Sequence, residues 1–536
     1  MPVPNRLAGA RRARRLACTA LLPAAVLAAD VDPAAPARPA AAGAIDVLTY
    51  HYDGQRTGWN PNETALTPAS VKSSRFGLLR TLAVDGIVLA QPLLVSGFRM
   101  PDGSTHDVLV VVTAHDSVYA IDASTWATLW QVSLGKSQSS DDIGCQQVAP
   151  EYGALATPVI VRRGKGDATI YVVSATEPNA MEFHTRLHAL KLADGTNERA
   201  AVEISPTFTM SDGSTLRFDP KAQWARAGLV HANDSIYVAL SSHCDQNAEQ
   251  ISGWMQRYGT DLTLMKSLPM IQTPAGYQLA AIWMSGFAPA VDANGNVYAI
   301  TGNGNFSRGG KDWGESVVRM DPTLGSVRDW FTPYKYRSLN DADADFGAGG
   351  VMLVPSEPGQ AHPLAVAMGK DPTMYLLDRH ELGKLQKNDA GALQVVPYGS
   401  AYGLWGGPAY WRAPTGGVVF YQTGFDRLRS FAVTTGPTPS IKATGATGTV
   451  DAGQGGSLPV VSSDGSTAGT GVVWVVHRGE NLALEAYDAE KLGAPLFSGA
   501  AGTWTPGKGD AFVTPLQANG RVYVPGDRTV TVFGLR

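Results

Sequence analysis

Residues 108–134 read VLVVVTAHDSVYAIDASTWATLWQVSL, and this stretch is the clearest copy of a strand pattern that recurs along the chain. An apolar strand, a turn and a second strand ending in Asp122 lead to Trp130, which opens a third strand. The pattern recurs along the chain at a spacing of about 40 to 65 residues, which is typical of a radial or stacked array. The weaker copies lie at residues 170–172, 236–238, 297–299, 374–378, 418–420, 472–474 and 522–524.

The composition is consistent with one large body built from repeats. At 536 residues the chain is far longer than the roughly 250–300 residues at which single hydrophobic cores stop growing. Its 59 Gly and 34 Pro supply many turns, its charged content of 17% is moderate, and its hydrophobic content of 44% is normal for a globular protein. The formal net charge of -4 does not provide the basic face that nucleic acids require. We therefore predict no nucleic-acid partner.

The N-terminus predicts an export signal peptide over residues 1–29. Four arginines at positions 11–15 form a basic start, and residues 16–29 are mostly apolar and followed by small residues suitable for cleavage. This apolar stretch is too short for a permanent transmembrane helix, which needs roughly 20 residues. Residues 30–44, rich in Ala and Pro, are predicted to be a spacer before a single domain at 45–536. We expect a periplasmic or secreted protein with no transmembrane segment in the mature chain.

Removal of this leader, which includes Cys18, leaves Cys145 and Cys244. In an oxidising compartment such a pair is more often a disulfide than a catalytic thiol, and only one pairing is possible. We therefore predict a Cys145–Cys244 disulfide between two polar loops. The chain contains no Cys-x-x-Cys-His, so no haem of the c type is predicted.

The secondary structure is predicted to be all-β. Runs of Val, Ile, Tyr and Thr alternate with polar residues and end at Asp-Gly, Asn-Gly or Gly-Gly turns. The copies provide about seven complete sheets and a partial one at the end. Residues 76–84 form an isolated strand near the start, which would complete the last sheet and close the ring. We therefore predict an eight-bladed β-propeller, with seven blades as the nearest alternative.

The strand pattern also carries a family resemblance. Strands that end in Ala-Ile-Asp or Leu-Leu-Asp, with Trp opening the next strand, resemble the repeat of pyrroloquinoline quinone (PQQ) propellers of the quinoprotein alcohol dehydrogenase type. The resemblance covers nearly the whole mature chain, beginning at the Arg-Thr-Gly-Trp-Asn segment at 56–60. It implies eight four-stranded blades, with the quinone and calcium near the central axis.

Two segments resemble the metal and catalytic motifs of this family. Thr-Gly-Asn at 301–303 is similar to a signature whose Asn binds calcium, and the amide oxygen of Asn303 suits a hard cation. Asp343-Ala344-Asp345-Phe346 resembles the stretch whose last Asp is the catalytic base. Asp345 would take the proton of a substrate hydroxyl as hydride moves to the quinone. The alternative for Asn303 is a left-handed turn. The alternatives for the run of Asp341, Asp343 and Asp345 are a solvated acidic loop or a second cation site.

Three further residues follow from the same resemblance. Glu177, after the Ser-Ala-Thr that ends a strand, resembles the calcium-binding Glu of the family. Lys370, in Gly-Lys-Asp, occupies the place of a cation that stabilises the reduced quinone. Trp283 resembles the aromatic floor under the quinone ring. As alternatives, Glu177 and Lys370 are surface charges and Trp283 packs between blades.

The chain also departs from the family pattern. The adjacent cysteine pair of the family is missing, since the corresponding region offers only Cys145, and Phe306 stands near the place of a characteristic Trp. Two functions are therefore predicted from the sequence. The first is an exported dehydrogenase that uses PQQ and Ca²⁺ to oxidise an alcohol or sugar hydroxyl and passes electrons to a separate acceptor. The second is a non-catalytic propeller that binds a protein or glycan in the cell envelope.

Overall fold

The repeated strands form eight antiparallel sheets, which we call blades 1 to 8 in the order of their first strands. The computed structural model describes residues 45–356, 360–398, 403–450, 453–479, 481–505 and 513–536. The predicted signal peptide at 1–29 and spacer at 30–44 lie outside these residues. Blades 1 and 2 comprise Leu93–Arg99, Thr105–Val112, Ser117–Asp122 and Thr128–Ser133, then Val159–Arg162, Ala168–Thr176, His184–Lys191 and Asn197–Glu203.

Blades 3 to 5 carry the loops that matter most for function. In blade 3 the first strand is broken into two short pieces that both pair with the second strand. The strands of blade 3 are Gln223–Trp224 with Val230–Ala232, Ser235–Ser242, Trp254–Gly259 and Leu264–Pro269. Blades 4 and 5 comprise Ala290–Val291, Val297–Ile300, Val317–Met320 and Val327–Phe331, then Val351–Leu353, Leu364–Ala367, Thr373–Asp378 and Gln394–Pro397.

The last three blades complete a closed ring. Blades 6 and 7 comprise Ala409–Ala413, Gly416–Tyr421, Arg427–Thr434 and Ser440–Val450, then Val460–Ser462, Val472–His477, Asn481–Asp488 and Phe497–Thr503. Blade 8 comprises Leu516–Ala518, Arg521–Pro525, Asp527–Leu535 and the early strand Phe76–Ile87.

The early strand closes the ring as predicted. Phe76–Ile87 pairs with Asp527–Leu535, with Leu82 opposite Val530, so the start and end of the propeller share one sheet. This pairing leaves no open edge between the first and last blades, and the count of eight rather than seven blades is confirmed.

The segment at 45–60 runs along the first strands around the central axis. Val47 pairs with Leu94 of blade 1, and Trp59 lies parallel to Val461 of blade 7. Between these points its backbone carbonyls accept hydrogen bonds from blades 2, 4, 5 and 6. The buried Arg56 donates to the carbonyl oxygens of Pro289 and Tyr50 at 2.9 and 2.8 Å. The segment therefore ties several blades together near the axis.

Neighbouring blades pack through continuous apolar strands. All five residues from Val108 to Val112 are buried, because sheets cover this strand on both faces. Trp130 donates from its indole nitrogen to the Leu192 carbonyl of blade 2 at 2.9 Å. The turn residue Gly195 has φ +72°, and a Cβ there would lie 2.7 Å from the Trp130 ring. The repeated Trp therefore links one blade to the next.

Short helices and hairpins occupy the connections. The helices are Pro68–Val71, Ser140–Ile143 and Tyr336–Asp341, with 3₁₀ turns at Met284–Gly286, Phe346–Ala348 and Lys387–Asp389. Two extra hairpins pair Gln138–Ser139 with Glu151–Tyr152 and Thr207–Thr209 with Thr215–Arg217. Among the described residues, no helix has the length and apolar character needed to cross a membrane. Because successive strands are antiparallel, the loop after each second strand and the segment before each first strand lie at one end of the blade.

Candidate functional site

Three successive blades place a polar side chain at the same point of the repeat. Asp245, Asn303 and Lys370 are each the third residue after the end of the second strand, in blades 3, 4 and 5 respectively. Trp283 and Asp345 lie in the segments that lead into the first strands of blades 4 and 5. These loops and segments share one end of the blades, so the five side chains meet.

The meeting point is a cavity of about 360 Å³. This volume lies within the roughly 300–1,000 Å³ of small-molecule sites. Four residues singled out in the sequence line it, namely Asn303, Asp345, Lys370 and Trp283. The other lining residues are Gln147, Trp224, Ser241, Ser242, Cys244, Asp245, Tyr277, Asn340 and Asp343.

Asp345 is buried and held from two sides. Its Oδ1 accepts a hydrogen bond from the Asn303 backbone amide at 2.9 Å, and its Oδ2 accepts one from Lys370 Nζ at 2.6 Å. The residue is only 4% exposed. The carboxylate is therefore held in a fixed orientation and lines the cavity, as a general base must be within reach of the proton that it removes.

Lys370 is the cationic partner of this carboxylate. Its Nζ also donates to the Asp343 carbonyl oxygen at 3.0 Å and lies 5.7 and 5.9 Å from the ring centres of Trp283 and Trp405. Burial lowers the pKa of Lys370, but attraction to Asp345 and Asp343 outweighs burial, so the pKa is raised. The lysine therefore stays protonated between two aromatic rings and two carboxylates.

Three carboxylates could hold a metal ion beside this pair. Single oxygen atoms of Asp245, Asp343 and Asp345 lie within 4.8 Å of one another. Burial, reinforced by the negative charge of Asp345, raises the pKa of Asp245 to about 6. A cation would relieve this repulsion, because carboxylate oxygens are the preferred ligands of hard cations such as Ca²⁺.

Asn303 adds an amide oxygen to the cluster. Its Nδ2 donates to Asp343 Oδ1 at 2.7 Å. Its Oδ1 is buried and has no hydrogen-bond partner among the described residues. Buried polar atoms are almost always paired in folded proteins, so an unpaired one lining a cavity indicates a missing ligand. The oxygen donors present therefore fit a hard metal ion.

Glycines allow the loop around Asn303 to approach its neighbours. A Cβ at Gly302 would lie 2.5 Å from Asp345 Oδ1, and one at Gly304 would lie 2.4 Å from the Ala280 backbone nitrogen. Asn340 then exchanges two hydrogen bonds with the Gly304 backbone, at 2.9 and 3.0 Å. The Gly-Asn-Gly sequence is thus required by close packing, and it holds the Asn303 side chain toward the cavity.

The structure does not bring Glu177 into this site. Glu177 directly follows the second strand of blade 2, two positions earlier than the site residues of blades 3 to 5, and it is absent from the described lining. Its buried carboxylate accepts hydrogen bonds from the backbone amides of Ser139 and Met181 at 3.0 and 2.7 Å. Burial acts to raise the pKa of Glu177, but these two amides outweigh it and lower the pKa.

Sequence reasoning missed Asp245 and Glu315. Asp245 has no family motif around it, and only its position in the repeat would have revealed it. Glu315 is buried, and its Oε2 accepts a hydrogen bond from the Phe346 amide at 2.6 Å, next to Asp345. Burial and the charge of Asp345 raise the pKa of Glu315 well above its usual range. Glu315 therefore holds the segment that carries Asp345 in place.

The two cysteines form a disulfide beside the cavity. Cys145 lies in the connection between blades 1 and 2, and Cys244 lies in the loop of blade 3 that also carries Asp245. Cys244 is exposed and contributes to the cavity wall, whereas Cys145 is buried. Asp245 thus lies directly beside a covalent link between two parts of the ring.

Comparison with solved structures identifies the class of fold. A quinohemoprotein alcohol dehydrogenase from Comamonas testosteroni matches with a TM-score of 0.57 and 15% identity, over 91% of this chain and 80% of that chain. A quinohemoprotein alcohol dehydrogenase from Pseudomonas putida HK5 matches with a TM-score of 0.59 and 13% identity, over the same shares. A europium-containing methanol dehydrogenase matches with a TM-score of 0.57 and 13% identity, over 91% of this chain and 98% of that chain.

The chain therefore has the eight-bladed fold of PQQ-type propellers. No family model matches the sequence, and a comparison with curated proteins finds no match either. At this level of identity the structural likeness establishes the architecture alone, so the chemistry has to be argued from the site.

Proposed function

We propose that this protein is an exported, PQQ- and metal-dependent dehydrogenase that oxidises an alcohol or sugar hydroxyl. One observation carries the proposal. Asp345 is fixed between Asn303 and Lys370 at the wall of a cavity that also presents Asp245, Asp343 and an unpaired amide oxygen. This reaction needs a base, a cationic side chain and a group of oxygen atoms that can bind a metal ion. All three lie in one cavity.

The metal ion would be held by Asp245, Asp343 and the Asn303 amide oxygen. All three side chains offer oxygen atoms, which suit Ca²⁺ and chemically similar hard ions. The negative charges of the two carboxylates and of Asp345 favour a multivalent cation over water in the cluster. The buried, unpaired Asn303 oxygen supports this assignment independently of the charges.

The quinone would occupy the part of the cavity next to Trp283, Trp405 and Lys370. When bound, PQQ supplies the hydride acceptor that no amino-acid side chain provides. Asp345 accepts the proton of the substrate hydroxyl, since its carboxylate lines the cavity and is held in place by Asn303 and Lys370. Lys370 orients that carboxylate through its 2.6 Å hydrogen bond and places a positive charge where negative charge develops on reduction.

The substrate class, the electron acceptor and export are further parts of the proposal. The structurally similar proteins named above are alcohol and methanol dehydrogenases, which supports a small hydroxyl substrate. The sequence has no Cys-x-x-Cys-His haem motif, so we assign electron acceptance to a separate partner. Export would depend on the leader at 1–29, and N-terminal sequencing of the secreted protein would locate its cleavage site.

Reconstitution tests the proposal directly. Purified protein is incubated with PQQ and Ca²⁺ and assayed with an artificial dye acceptor against a panel of alcohols and aldoses. We expect turnover that requires both additions and that disappears when a chelator removes the metal. Failure to bind PQQ at micromolar concentration in the presence of Ca²⁺ would refute the enzyme and favour the protein- or glycan-binding scaffold.

A further inference from the structure

The Asp245 loop combines an unfavourable backbone with two external restraints. Cys244, Asp245 and Asn247 have φ of 47°, 50° and 54°, in the left-handed region that non-glycine residues rarely adopt. Such residues persist only where the surroundings hold them. Two links provide this hold: the Cys145–Cys244 disulfide and a hydrogen bond from Gln246 Nε2 to the Gly144 carbonyl at 2.9 Å.

The fixed end of the disulfide is well anchored. Cys145 is buried, its backbone amide donates to the Ser140 carbonyl at 3.1 Å, and the Tyr152 hydroxyl donates to its sulfur at 3.1 Å. The Cys244 end, in contrast, is exposed at the cavity. The disulfide therefore fixes the loop of blade 3 to the well-anchored connection between blades 1 and 2.

Asp245 is the residue that benefits from this restraint. One of its carboxylate oxygens, Oδ1, accepts a hydrogen bond from the Ser242 hydroxyl at 2.6 Å. Its carboxylate also lies within reach of Asp343 and Asp345, which belong to a different blade and repel it. In the absence of a cation, a free loop would swing this carboxylate away from two like charges.

We propose that the Cys145–Cys244 disulfide is a positioning element that holds Asp245 in the metal site against this repulsion. The inference rests on the proposed function, because it assigns a role to the disulfide only if the site binds a metal ion. Reduction by a dithiol breaks the S–S bond, forms two thiols and converts the reductant to its own disulfide. The exposed Cys244 makes this bond accessible to small reductants in the folded protein.

The test measures the metal site without PQQ or substrate. Ca²⁺ affinity is determined by calorimetry, and the number of water molecules on bound Eu³⁺ is determined from luminescence lifetimes in H₂O and D₂O. The proteins compared are the wild type, the wild type reduced with dithiothreitol, the double variant Cys145→Ser/Cys244→Ser and Asp245→Asn. Circular dichroism and thermal melting establish that each remains folded.

We expect reduction and the double serine variant to lower Ca²⁺ affinity about tenfold, as loss of a supporting contact does in other metal sites. Bound Eu³⁺ should gain about one water in each case, because the Asp245 carboxylate leaves the ion. Asp245→Asn should give the same loss of affinity, and dithiothreitol should then have no further effect. This lack of additivity is the signature of a contribution made through Asp245.

Two outcomes overturn the inference. If the double serine variant melts at a lower temperature but keeps its Ca²⁺ affinity and Eu³⁺ hydration, the disulfide only stabilises the fold. If reduction weakens binding further in Asp245→Asn, the disulfide acts through another residue. Failure of the wild type to bind either ion would instead refute the proposed metal site itself, so the two failures are distinguishable. Reduction of the purified wild type keeps the test valid even if the serine variants do not fold.

Discussion

The loops after the second strands differ between blades 3 to 5 and blades 1 and 2. In blades 3, 4 and 5 the third residue of this loop is Asp245, Asn303 or Lys370, and its side chain lines the cavity. In blade 2 the corresponding loop begins with Glu177, whose carboxylate is bound by two backbone amides. In blade 1 it carries Asp116, which is buried.

The difference shows that position in the repeat alone does not make a functional residue. All five loops bring a polar or charged side chain to one end of their blades. What separates them is where the polar atoms find partners. The Glu177 carboxylate pairs with the backbone amides of Ser139 and Met181. Asn303, in contrast, keeps an oxygen unpaired at the cavity, and Asp345 is held by partners from two loops. Four substitutions test this distinction.

The largest effect is expected for Asp345→Asn. The amide cannot accept the substrate proton, so kcat in the reconstituted dye-linked assay should fall on the order of 10³-fold, as is typical when general base catalysis is lost. Asp341→Asn is the matched control, because Asp341 is an exposed acid of the same segment. Its activity should stay within about twofold of the wild type. A kcat of Asp345→Asn above one third of the wild-type value would contradict the assigned role.

The second substitution, Asn303→Ala, addresses the metal. It removes the unpaired amide oxygen, so Ca²⁺ affinity measured by calorimetry should fall on the order of tenfold, which corresponds to about 1.4 kcal/mol. Asn305→Ala is the control, since Asn305 lies two residues further along the same loop and contacts Asp312. Equal affinities for Asn303→Ala and the wild type would show that this oxygen binds no metal ion.

The third substitution, Glu177→Gln, tests the other side of the comparison. Both carboxylate oxygens of Glu177 accept hydrogen bonds from backbone amides. In the glutamine variant the side-chain NH₂ would face one of these amide donors, so the free energy of unfolding should fall by about 1–3 kcal/mol. Ca²⁺ affinity and kcat should nevertheless stay within about twofold of the wild type. A tenfold loss of Ca²⁺ affinity in a folded variant would instead establish Glu177 as a metal ligand, as the family resemblance predicted.

The fold and the candidate site differ in how much of each the sequence predicts. The propeller was predictable because the alternation of apolar and polar residues is local and is repeated in every blade, and the strand at 76–84 stood out as one without a partner. Short motifs singled out Asn303, Asp345, Lys370 and Trp283, and these four residues line one cavity. No such motif marks Asp245, because its carboxylate meets those of Asp343 and Asp345 only when the loops of neighbouring blades come together. No local pattern records such a contact.

Glu177 illustrates the opposite difficulty. Its local sequence resembles a ligand motif, but a shift of two positions relative to Asn303 places its carboxylate beside the Ser139 and Met181 amides. Extended backbone advances about 3.3 Å per residue, so a shift of two positions displaces the side chain by roughly 6–7 Å along the chain. Counting from the observed end of each strand distinguishes the two cases, and that end is known only from the structure.

The smallest effect is expected at Asp116 in blade 1. Burial, reinforced by the negative charge of Glu151, raises the pKa of Asp116 well above its usual value. The folded state therefore binds a proton at Asp116 more tightly than the unfolded state does. As a result, the free energy of unfolding falls as pH rises above the unfolded pKa of about 3.9. Asp116→Asn removes this cost and should raise the melting temperature at pH 8 by roughly 1–2 °C.

The same variant should show no gain near pH 4, where the wild-type carboxyl is protonated in the folded state. Melting curves of both proteins between pH 4 and pH 8 therefore measure the effect, and the difference in melting temperature should grow with pH. Ca²⁺ affinity should stay unchanged, because Asp116 does not belong to the described cavity lining. A pH-independent difference would mean that Asp116 is already ionised in the fold. Blade 1 would then hold a buried charge with a partner, and its contrast with the cavity loops would weaken.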